Sequence, residues 1–282
     1  MLPLESDSPQ RPLERINAEY KRVIDLAAKN EHTIEKSVQF QSMPKLSGFV
    51  ELKLHGHEFL MFVSRNDDGV ALKLLWNHTY ECLSTQIWCN LARQSKAIVD
   101  VGAHTGIYSI LAARSNPKAM IAAMEPTPLN FARLVMNLRE NDIENVACMR
   151  VAVSDKRGWE KFGANTQQWY LSTGGKLNHL GALEPHIVQT VVLDDLPGID
   201  LIKLDTEGHE LRCLQGMPKT LEGRPTILFE CTENGAEIFA FLHKLGYRIS
   251  SINDKNQTVT PVNAPVTGKN IWNLNYLATY GT

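Results

Sequence analysis

The sequence predicts an α/β protein built on a mostly parallel β-sheet with helices on both faces. From residue 97 onward, short apolar runs of strand length alternate with longer segments whose apolar residues recur at helical spacing. The first run, 97–101, leads through a turn flanked by Gly102 and Gly106 into a helix at 107–115. Repeated alternation of this kind is typical of parallel strands joined by covering helices.

Seven strands are expected in this sheet, and polar or acidic residues follow most of them. The segments between the strands predict helices. One begins after Thr127 with Pro128 in its first turn, and another begins near Glu207. The predicted strands cover residues 97–101, 119–124, 146–153, 201–204, 226–229, 247–252 and 275–280.

Residues 1–79 are interpreted as an N-terminal extension and residues 80–282 as the main domain. The extension carries an amphipathic helix starting near Pro12, which packs either on the main domain or against a second copy in a homo-oligomer. It also carries a β-hairpin whose strands flank a His-Gly-His turn. His55 and His57 in that turn are interpreted as solvated residues rather than metal ligands.

Composition and charge argue against two classes of partner. The chain of 282 residues carries 29 basic and 31 acidic side chains, a net charge of −2. No basic surplus is present to attract nucleic acid, so nucleic acid is not expected as a partner. No apolar run approaches the roughly 20 residues that a transmembrane helix requires, and no secretory signal is visible. With five cysteines and no C-x-x-C spacing, we expect reduced thiols and a cytoplasmic location.

A polar insertion at about 163–189 separates the third and fourth strands. It is rich in Gly, Asn, Thr and Gln and contains Trp169, Tyr170 and His179. Insertions of this size in a compact domain are often active-site lids or substrate-binding loops. The alternative is a β-hairpin that covers the edge of the sheet, and the sequence leaves both open.

The turn after the first strand reads Asp100-x-Gly102-x-x-x-Gly106, which departs from the G-x-G-x-x-G pattern of dinucleotide-binding proteins. Glu125 follows the second strand, 19 residues beyond Gly106. A carboxylate at that position can accept two hydrogen bonds from a ribose diol. A nucleoside without a pyrophosphate fits both observations, and S-adenosylmethionine (SAM) is such a ligand.

Three segments resemble the FkbM family of class I SAM-dependent methyltransferases, namely Val99–Ser109, Met124–Phe131 and Asp200–Gly216. The third is the most family-specific, because it contains the run K-x-D-x-E-G-x-E. The resemblance covers roughly residues 80–245 and implies a Rossmann-like class I methyltransferase fold with a seven-stranded sheet. His104 and His209 depart from it, because family members often carry Asn and Ala at these positions.

The resemblance also implies which residues hold SAM. The turn after the first strand is similar to the segment that holds the methionine end, Glu125 is similar to the ribose ligand, and the residues after the third strand lie beside the adenine. The alternatives are a turn-stabilising role for Asp100 and a helix-capping role for Glu125. The implied cofactor-binding residues are Asp100, Gly102, Ala103, His104, Thr105, Gly106, Glu125, Pro126, Val153 and Ser154.

Asp205 follows the fourth strand, which neighbours the first strand in the expected strand order. Its carboxylate would therefore lie beside the SAM methyl group and act as the general base for a hydroxyl acceptor. Asp205 and Glu207 could instead share a divalent ion, although no metal is predicted. A third interpretation is structural, with Asp205 capping the following helix and Glu207 supporting its first turn.

Two further residues are candidates for the acceptor site. Glu230 ends the fifth strand and either borders the substrate or is an ordinary loop acid. His209 follows the catalytic candidates along the chain and either faces the same pocket or lies at the surface. With Trp169, Tyr170 and His179, these two are the predicted substrate-binding residues.

The sequence therefore predicts a SAM-dependent O-methyltransferase that acts on a hydroxyl of a small molecule or of a glycosyl acceptor. Two alternatives from other classes are weighed against it. A SAM-fold protein that binds a ligand without catalysis is disfavoured by the acids at positions 100, 125 and 205. An NAD-dependent oxidoreductase is disfavoured by the missing third glycine of the dinucleotide pattern.

Overall fold

The structure is a computed structural model of the chain. Three of the predicted substrate-binding residues, Trp169, Tyr170 and His179, lie outside the residues that it describes. At residues 10–17, 176–177 and 186 only the backbone is described. The described residues are 10–30, 43–163, 176–177, 186–231, 233–266 and 275–281.

The predicted N-terminal helix and β-hairpin are confirmed, and a further helix follows them. That helix begins after Asp68, whose carboxylate oxygen accepts hydrogen bonds from the amides of Val70 and Ala71. Asp68 therefore forms the helix N-terminus, as expected because aspartate is a preferred N-cap residue. The elements up to residue 92 are α1 (Gln10–Ala28), β1 (Ser47–Leu54), β2 (His57–Ser64), α2 (Gly69–Asn77) and α3 (Cys82–Ala92).

Helix α1 packs against the hairpin and α2 of its own chain. The side chains of Val23 and Ala27 are buried, and the Tyr20 hydroxyl donates a hydrogen bond of 2.6 Å to the Phe49 carbonyl. This packing supports the intramolecular alternative for the apolar face of the helix. Over the described ranges, no helix is both long enough and apolar enough to cross a membrane.

The two histidines of the hairpin turn contact neighbouring helices. His55 Nε2 lies 2.8 Å from Thr85 Oγ1, and His57 Nε2 lies 3.1 Å from Ser115 Oγ. Burial lowers the pKa of both imidazole rings. The interpretation of these histidines as solvated turn residues was wrong, because the hairpin tip packs against the body of the protein.

From residue 97 the predicted alternation of strands and helices is confirmed. Helices connect most of the parallel strands, as is usual in α/β proteins. The elements are, in chain order, β3 (Ala97–Val101), α4 (Ile107–Ser115), β4 (Met120–Met124), α5 (Pro128–Glu140), β5 (Val146–Met149), β6 (Ala152–Val153), β7 (Gly158–Gly163), β8 (Lys176–Leu177), β9 (His186–Val191), a 3-10 helix (Leu193–Asp195), β10 (Leu201–Leu204), α6 (Glu210–Gln215), α7 (Pro218–Glu222), β11 (Thr226–Glu230), α8 (Gly235–Lys244), β12 (Tyr247–Asn253), β13 (Thr258–Val262) and β14 (Asn275–Tyr280).

The described residues form a main sheet of eight strands in the order β13-β12-β14-β11-β10-β3-β4-β5. The five strands from β11 to β5 are parallel, and β14, β12 and β13 pair antiparallel. The expected number of seven strands was one too few, because β13 was missed. That strand contains Pro261 and is almost wholly exposed, as an edge strand without an apolar face tolerates.

The predicted third strand, 146–153, is divided between two sheets. Its first half is β5 at the edge of the main sheet, and its second half, β6, pairs with β9. Among the described residues, β6, β9, β7 and β8 form a second sheet of four strands. Strands β7 and β9 pair antiparallel on either side of the predicted insertion, most of which lies outside the described residues.

Apolar side chains on the two faces of the main sheet form two buried clusters. One contains Ile98 and Leu111 together with side chains of the N-terminal helices and hairpin. The other contains Val99, Ile202 and Phe229, which pack with side chains of α6 and α8. All five residues of β3 are buried, which explains its continuous apolar sequence around a single aspartate.

Two asparagines, Asn137 in α5 and Asn141 at its C-cap, hydrogen-bond the hairpin to the main domain. Asn141 accepts a hydrogen bond of 2.8 Å from the Leu60 amide and donates one of 2.7 Å to the Leu60 carbonyl. Asn137 accepts from the Phe62 amide at 2.8 Å and donates to the Thr105 carbonyl at 2.8 Å. The side-chain amides therefore satisfy backbone groups of β2 as a neighbouring strand would. The same contacts join the hairpin to the glycine-flanked turn after β3.

Candidate functional site

The predicted site residues lie along one edge of the main sheet, where the parallel strands end. The glycine-flanked turn follows β3, Glu125 follows β4, Asp205 follows β10, and Glu230 is the last residue of β11. The strand order reverses between β3 and β10, because later strands are added outward on both sides of this pair. Ligands of open α/β sheets bind at such a switch point.

The two glycines of the turn are required by the packing of the protein itself. Gly102 has φ +80, and a Cβ there would overlap the backbone carbonyl of Asp205. Gly106 has φ +99, and a Cβ there would lie 2.6 Å from Leu134 Cδ1. The absence of these side chains therefore makes room for the loop after β10 and for α5 rather than directly for a ligand. Gly102 also brings the turn against the loop that carries Asp205.

Most backbone amides of the turn donate within the protein. The amides of Gly102 and Ala103 both donate to the Met124 carbonyl, and the amide of Gly106 donates to the Ala103 carbonyl at 2.8 Å. The amide of His104 donates to Glu125 Oε2 at 2.9 Å. The first amides of α4 have no carbonyl partner within their own helix. They are the better candidates to bind an anionic group at this end of the site.

Asp100 is buried on β3 and tied to the helix that follows. Its Oδ2 accepts a hydrogen bond of 2.6 Å from Ser109 Oγ on α4. Burial raises the pKa of Asp100 to about 6, although Ser109 and the ammonium of Lys203 act in the opposite direction. The alternative of a turn-stabilising carboxylate is consistent with this contact. Ser109 was not singled out from the sequence.

Glu125 is buried and organises the turn around it. Its Oε2 accepts the His104 amide, and its Oε1 accepts the Thr127 amide at 2.8 Å. Burial raises the pKa of Glu125, while His104 and the amide donors act against that increase. A carboxylate has about four acceptor positions. The two amide bonds therefore leave capacity for the hydroxyls of a ribose.

His104 places a polar atom in the site that the described chain does not satisfy. Its backbone is left-handed, with φ +51. Its Nδ1 lies 3.2 Å from Thr105 Oγ1, whereas Nε2 is buried and has no hydrogen-bond partner among the described residues. Buried polar atoms are normally paired, so this nitrogen is a candidate contact for a ligand.

The predicted adenine segment and one predicted substrate residue contact each other. Ser154 Oγ lies 3.0 Å from His209 Nε2 and 3.0 Å from Asp155 Oδ1. Arg212 on α6 reaches the same aspartate at 2.7 Å. Burial lowers the pKa of His209. Val153 is buried within the apolar cluster on this face of the sheet.

Asp205 lies between a buried lysine and a second carboxyl group. Lys203 Nζ donates a hydrogen bond of 3.1 Å to Asp205 Oδ2. The lysine side chain is 1% exposed, whereas that of Asp205 is 25% exposed. Glu230 lies within hydrogen-bonding range of Asp205, and burial together with that neighbouring charge raises the pKa of Glu230 to about 9. Glu230 is therefore protonated near neutral pH, and its carboxyl group can donate a hydrogen bond to Asp205.

The loop after β10 differs from the sequence expectation. Helix α6 begins at Glu210 rather than near Glu207, because Glu207 and Gly208 have left-handed backbones with φ +55 and +101. His209 occupies the N-cap position, so the interpretation of Asp205 as the cap was wrong. Glu210 supports the loop by accepting hydrogen bonds from the amides of Thr206 and Gly208. The structural interpretation of the sequence had instead placed Glu207 as the residue that supports the first turn of the helix.

Four residues of the cluster around Asp205 were assigned no role from the sequence: Lys203, Glu81, Tyr108 and Asn275. Lys203 lies in the family-specific run, but its pairing with Asp205 was not foreseen. Glu81 Oε2 accepts hydrogen bonds from the Tyr108 hydroxyl at 2.5 Å and from Asn275 Nδ2 at 3.0 Å. Glu81 and Asn275 are 194 positions apart, and a single sequence carries no signal for such a contact.

Within the ranges that the structure describes, no group of three or more His, Cys, Asp or Glu side chains is arranged to hold a metal ion. Asp205, Glu207 and the neighbouring Glu230 thus do not form such a group in that part of the chain. The described cysteines are free thiols.

The sequence matches the family model of the methyltransferase FkbM domain over residues 100–249. A curated relative, the hexuronic acid methyltransferase AglP of Haloferax volcanii, is 27% identical over 143 residues. The alignment covers 49% of this chain and 57% of that protein. The match thus spans little more than half of the relative's length.

Two solved structures illustrate how distant the structural neighbours are. The precorrin-6y C5,15-methyltransferase from Geobacter metallireducens is 15% identical with a TM-score of 0.43, over 70% of this chain and 87% of that one. The tRNA (uracil-54, C5)-methyltransferase of Pyrococcus abyssi in complex with S-adenosyl-L-homocysteine is 12% identical with a TM-score of 0.44, over 82% and 43% of the two chains.

The main sheet has the strand order of the Rossmann-like class I methyltransferase fold, with one strand added at its antiparallel edge. The family model covers more than half of the 282 residues, including the end of β3 and the whole of β4, β10 and β11 with the acids at their ends. The chain therefore belongs to the FkbM methyltransferase family.

Proposed function

We propose that the protein is a SAM-dependent O-methyltransferase whose acceptor is a hydroxyl of a small molecule or of a glycosyl group. The observation that carries this proposal is the position of Asp205, a partly exposed carboxylate held by Lys203 beside the glycine-flanked turn. Family membership supplies the reaction class. The name of the relative AglP, a hexuronic acid methyltransferase, supports a glycosyl acceptor.

The residues of the β3–β4 side fit the cofactor. Glu125 retains acceptor capacity for the ribose hydroxyls, and His104 Nε2 is a buried polar atom without a partner in the described chain. The methionine carboxylate would lie at the N-terminus of α4, where helix amides and dipole favour an anion. The proposed cofactor-binding residues are Asp100, Gly102, Ala103, His104, Thr105, Gly106, Glu125, Pro126, Val153 and Ser154.

When bound, SAM supplies a sulfonium methyl group that a nucleophilic oxygen can attack. The oxygen of the acceptor hydroxyl would form the new bond to the methyl carbon, and Asp205 would accept the proton that this hydroxyl loses. Lys203 fixes the position of the Asp205 carboxylate through the 3.1 Å hydrogen bond. Holding the hydroxyl and the methyl group in line supplies much of the acceleration.

The acceptor would occupy the space next to the Asp205 loop. Glu230 and Glu207 are proposed to border it, because they flank Asp205 from β11 and from the same loop. His209 is assigned a smaller part, since its Nε2 is already paired with Ser154. Trp169, Tyr170 and His179 of the insertion are proposed acceptor contacts that the structure does not describe.

The proposal is tested by transfer of a radiolabelled methyl group from SAM to a panel of hydroxylated metabolites and glycosides that includes a hexuronic acid glycoside. We expect at least one acceptor to be methylated on oxygen. Asp205→Asn is expected to reduce that rate about a hundredfold or more, the usual range for a general base. Transfer by Asp205→Asn at the wild-type rate would contradict the assignment of the base.

The non-catalytic alternative has a distinct outcome in the same experiment. It predicts binding of S-adenosylhomocysteine without methyl transfer to any acceptor. Membership of a methyltransferase family argues against the NAD-dependent alternative. The proposal has three further parts, and each needs its own test. They are the boundary between the N-terminal extension and the main domain at residues 79 and 80, a cytoplasmic location and self-association.

A further inference from the structure

Glu81 lies beneath the proposed catalytic carboxylate although it is remote from it in sequence. It occupies the N-cap position of α3 with a left-handed backbone, φ +40, and its side chain makes no capping bond there. Its Oε2 instead accepts hydrogen bonds from the Tyr108 hydroxyl and from Asn275 Nδ2. Glu81 and Asn275 both fall outside the residues 100–249 that the family model matches.

A continuous set of contacts leads from Glu81 to Asp205. Because Asn275 donates its Nδ2 to Glu81, its Oδ1 faces Lys203 Nζ at 3.4 Å. Lys203 Nζ also lies 4.8 Å from the centre of the Tyr108 ring, a cation–π contact. The same ammonium donates to Asp205 at 3.1 Å. Glu81 therefore orients the two groups that hold the lysine.

The charges of this cluster depend on one another because the lysine is buried. Burial alone would lower the pKa of Lys203, but the charges of Asp205, Glu81 and Glu230 raise it above its ordinary value. With Lys203 and Glu81 both charged, the Asp205–Glu230 pair can take up a proton and leave the lysine still neutralised by Glu81. Without the charge of Glu81, the same proton would leave a buried ammonium with no counter-charge, which is costly.

We propose that Glu81 is a positioning residue that acts through Asn275 and Lys203 to set how readily the Asp205–Glu230 pair accepts the proton of the acceptor hydroxyl. This inference rests on the proposed function. In the step concerned, the bond between the acceptor oxygen and the methyl carbon forms, and the bond between that carbon and sulfur breaks. Sulfur keeps the electron pair as a neutral thioether, and the hydroxyl proton passes to the Asp205–Glu230 pair.

Other titratable groups also face the pair, and they come from several elements. All of them are present in both the Glu81→Gln protein and the wild type, so a matched substitution isolates the contribution of Glu81. These groups are Asp100 on β3, Lys203 on β10, Glu210 on α6, Cys231 after β11 and Tyr80 in the segment before α3.

The test is an infrared titration of carboxyl protonation, which needs no acceptor. The bands of the pair are assigned by their loss in Asp205→Asn and Glu230→Gln. The test variant is Glu81→Gln, because a single amide oxygen in the place of Oε2 can accept both hydrogen bonds. Glu222→Gln, at an exposed position at the end of α7, is the matched control. S-adenosylhomocysteine binding is measured separately by calorimetry.

We expect Glu81→Gln to move the protonation midpoint of the pair down by about one pH unit, because a nearby negative charge favouring protonation is removed. Glu222→Gln should leave the midpoint unchanged. An unchanged midpoint in a Glu81→Gln protein with a native melting profile would overturn the proposal.

If Glu81→Gln fails to fold, Lys203→Gln is measured in its place. The protonation midpoint of the pair should then move upward, because a nearby positive charge is lost. A downward or absent shift in Lys203→Gln would also overturn the proposal. Failure of the wild-type protein to bind S-adenosylhomocysteine would instead count against the proposed function, and the titration would still report on Glu81.

Discussion

The two halves of the ligand-binding edge are stabilised in different ways. On the β3–β4 side, Asp100 and Glu125 accept hydrogen bonds from a hydroxyl and from backbone amides. On the β10–β11 side, Asp205 lies between the ammonium of Lys203 and the carboxyl of Glu230. Neutral donors fix a rigid shape, whereas charged neighbours set how strongly a carboxylate holds a proton. The first side therefore suits binding of a cofactor, and the second suits proton transfer.

The largest expected effect follows from breaking the contact between the two sides. Gly102→Ala places a Cβ against the Asp205 carbonyl, so we expect a loss of about 4 kcal/mol or more in the free energy of unfolding. Gly56→Ala is the matched control, since Gly56 has nearly the same φ, +81, and no atom within 4 Å of its Cβ position. It should lose only about 1 kcal/mol from backbone strain. Equal losses in urea denaturation would show that the close approach does not matter.

A smaller loss is expected when the charge of the β10–β11 side is removed. Lys203→Met leaves the carboxylates of Asp205 and Glu81 without their buried partner, so the free energy of unfolding should fall by about 3 kcal/mol. Lys53→Met breaks an ion pair between Lys53 and Glu58, whose side chains are 67% and 76% exposed. This substitution should change the free energy of unfolding by less than about 1 kcal/mol. Urea denaturation at neutral pH compares the two, and similar losses would contradict the distinction between buried and exposed pairs.

On the β3–β4 side, we expect the buried carboxyl group of Asp100 to make the free energy of unfolding depend on pH. The pKa of Asp100 is raised from 3.8 to about 6 in the folded protein, so the folded state binds this proton more tightly than the unfolded state. Protonated Asp100 therefore stabilises the folded protein below pH 4. About 2 kcal/mol of this stabilisation is lost as the pH rises from 4 towards 6.

Asp100→Asn should remove this contribution to the slope of unfolding free energy against pH. The amide oxygen can still accept the hydrogen bond from the Ser109 hydroxyl, but the amide does not titrate. Asp25→Asn, at an exposed position on α1, should leave the slope unchanged. Urea denaturation between pH 4 and 7 measures the difference. A slope that is the same in all three proteins would exclude Asp100 as its source.

Local sequence patterns predicted the strands and helices whose ends are determined by nearby residues. The bounds of β3, α4, β10 and β14 agree with the predicted 97–101, 107–115, 201–204 and 275–280. Elements were missed where the pattern was weak. Strand β13 has no buried apolar face, and the start of α6 was misplaced because a left-handed backbone at Glu207 leaves no sequence signal.

The acids at the strand ends were predictable, but the groups that control their charge were not. Parallel strands bring their carboxyl ends together, so Asp100, Glu125, Asp205 and Glu230 could be placed at one edge from spacing and strand order. The partners of these acids depend on tertiary contacts. Glu81 meets Asn275 across 194 positions, and only the folded structure shows it.

The division of labour between the two sides is tested most directly by calorimetry of S-adenosylhomocysteine binding. We expect Glu125→Ala to weaken binding tenfold or more, because the proposed ribose contact and the support of the turn are lost together. Asp205→Asn should bind within about twofold of wild type while losing methyl transfer. Unchanged affinity in Glu125→Ala would remove the β3–β4 side from the cofactor site and contradict the division.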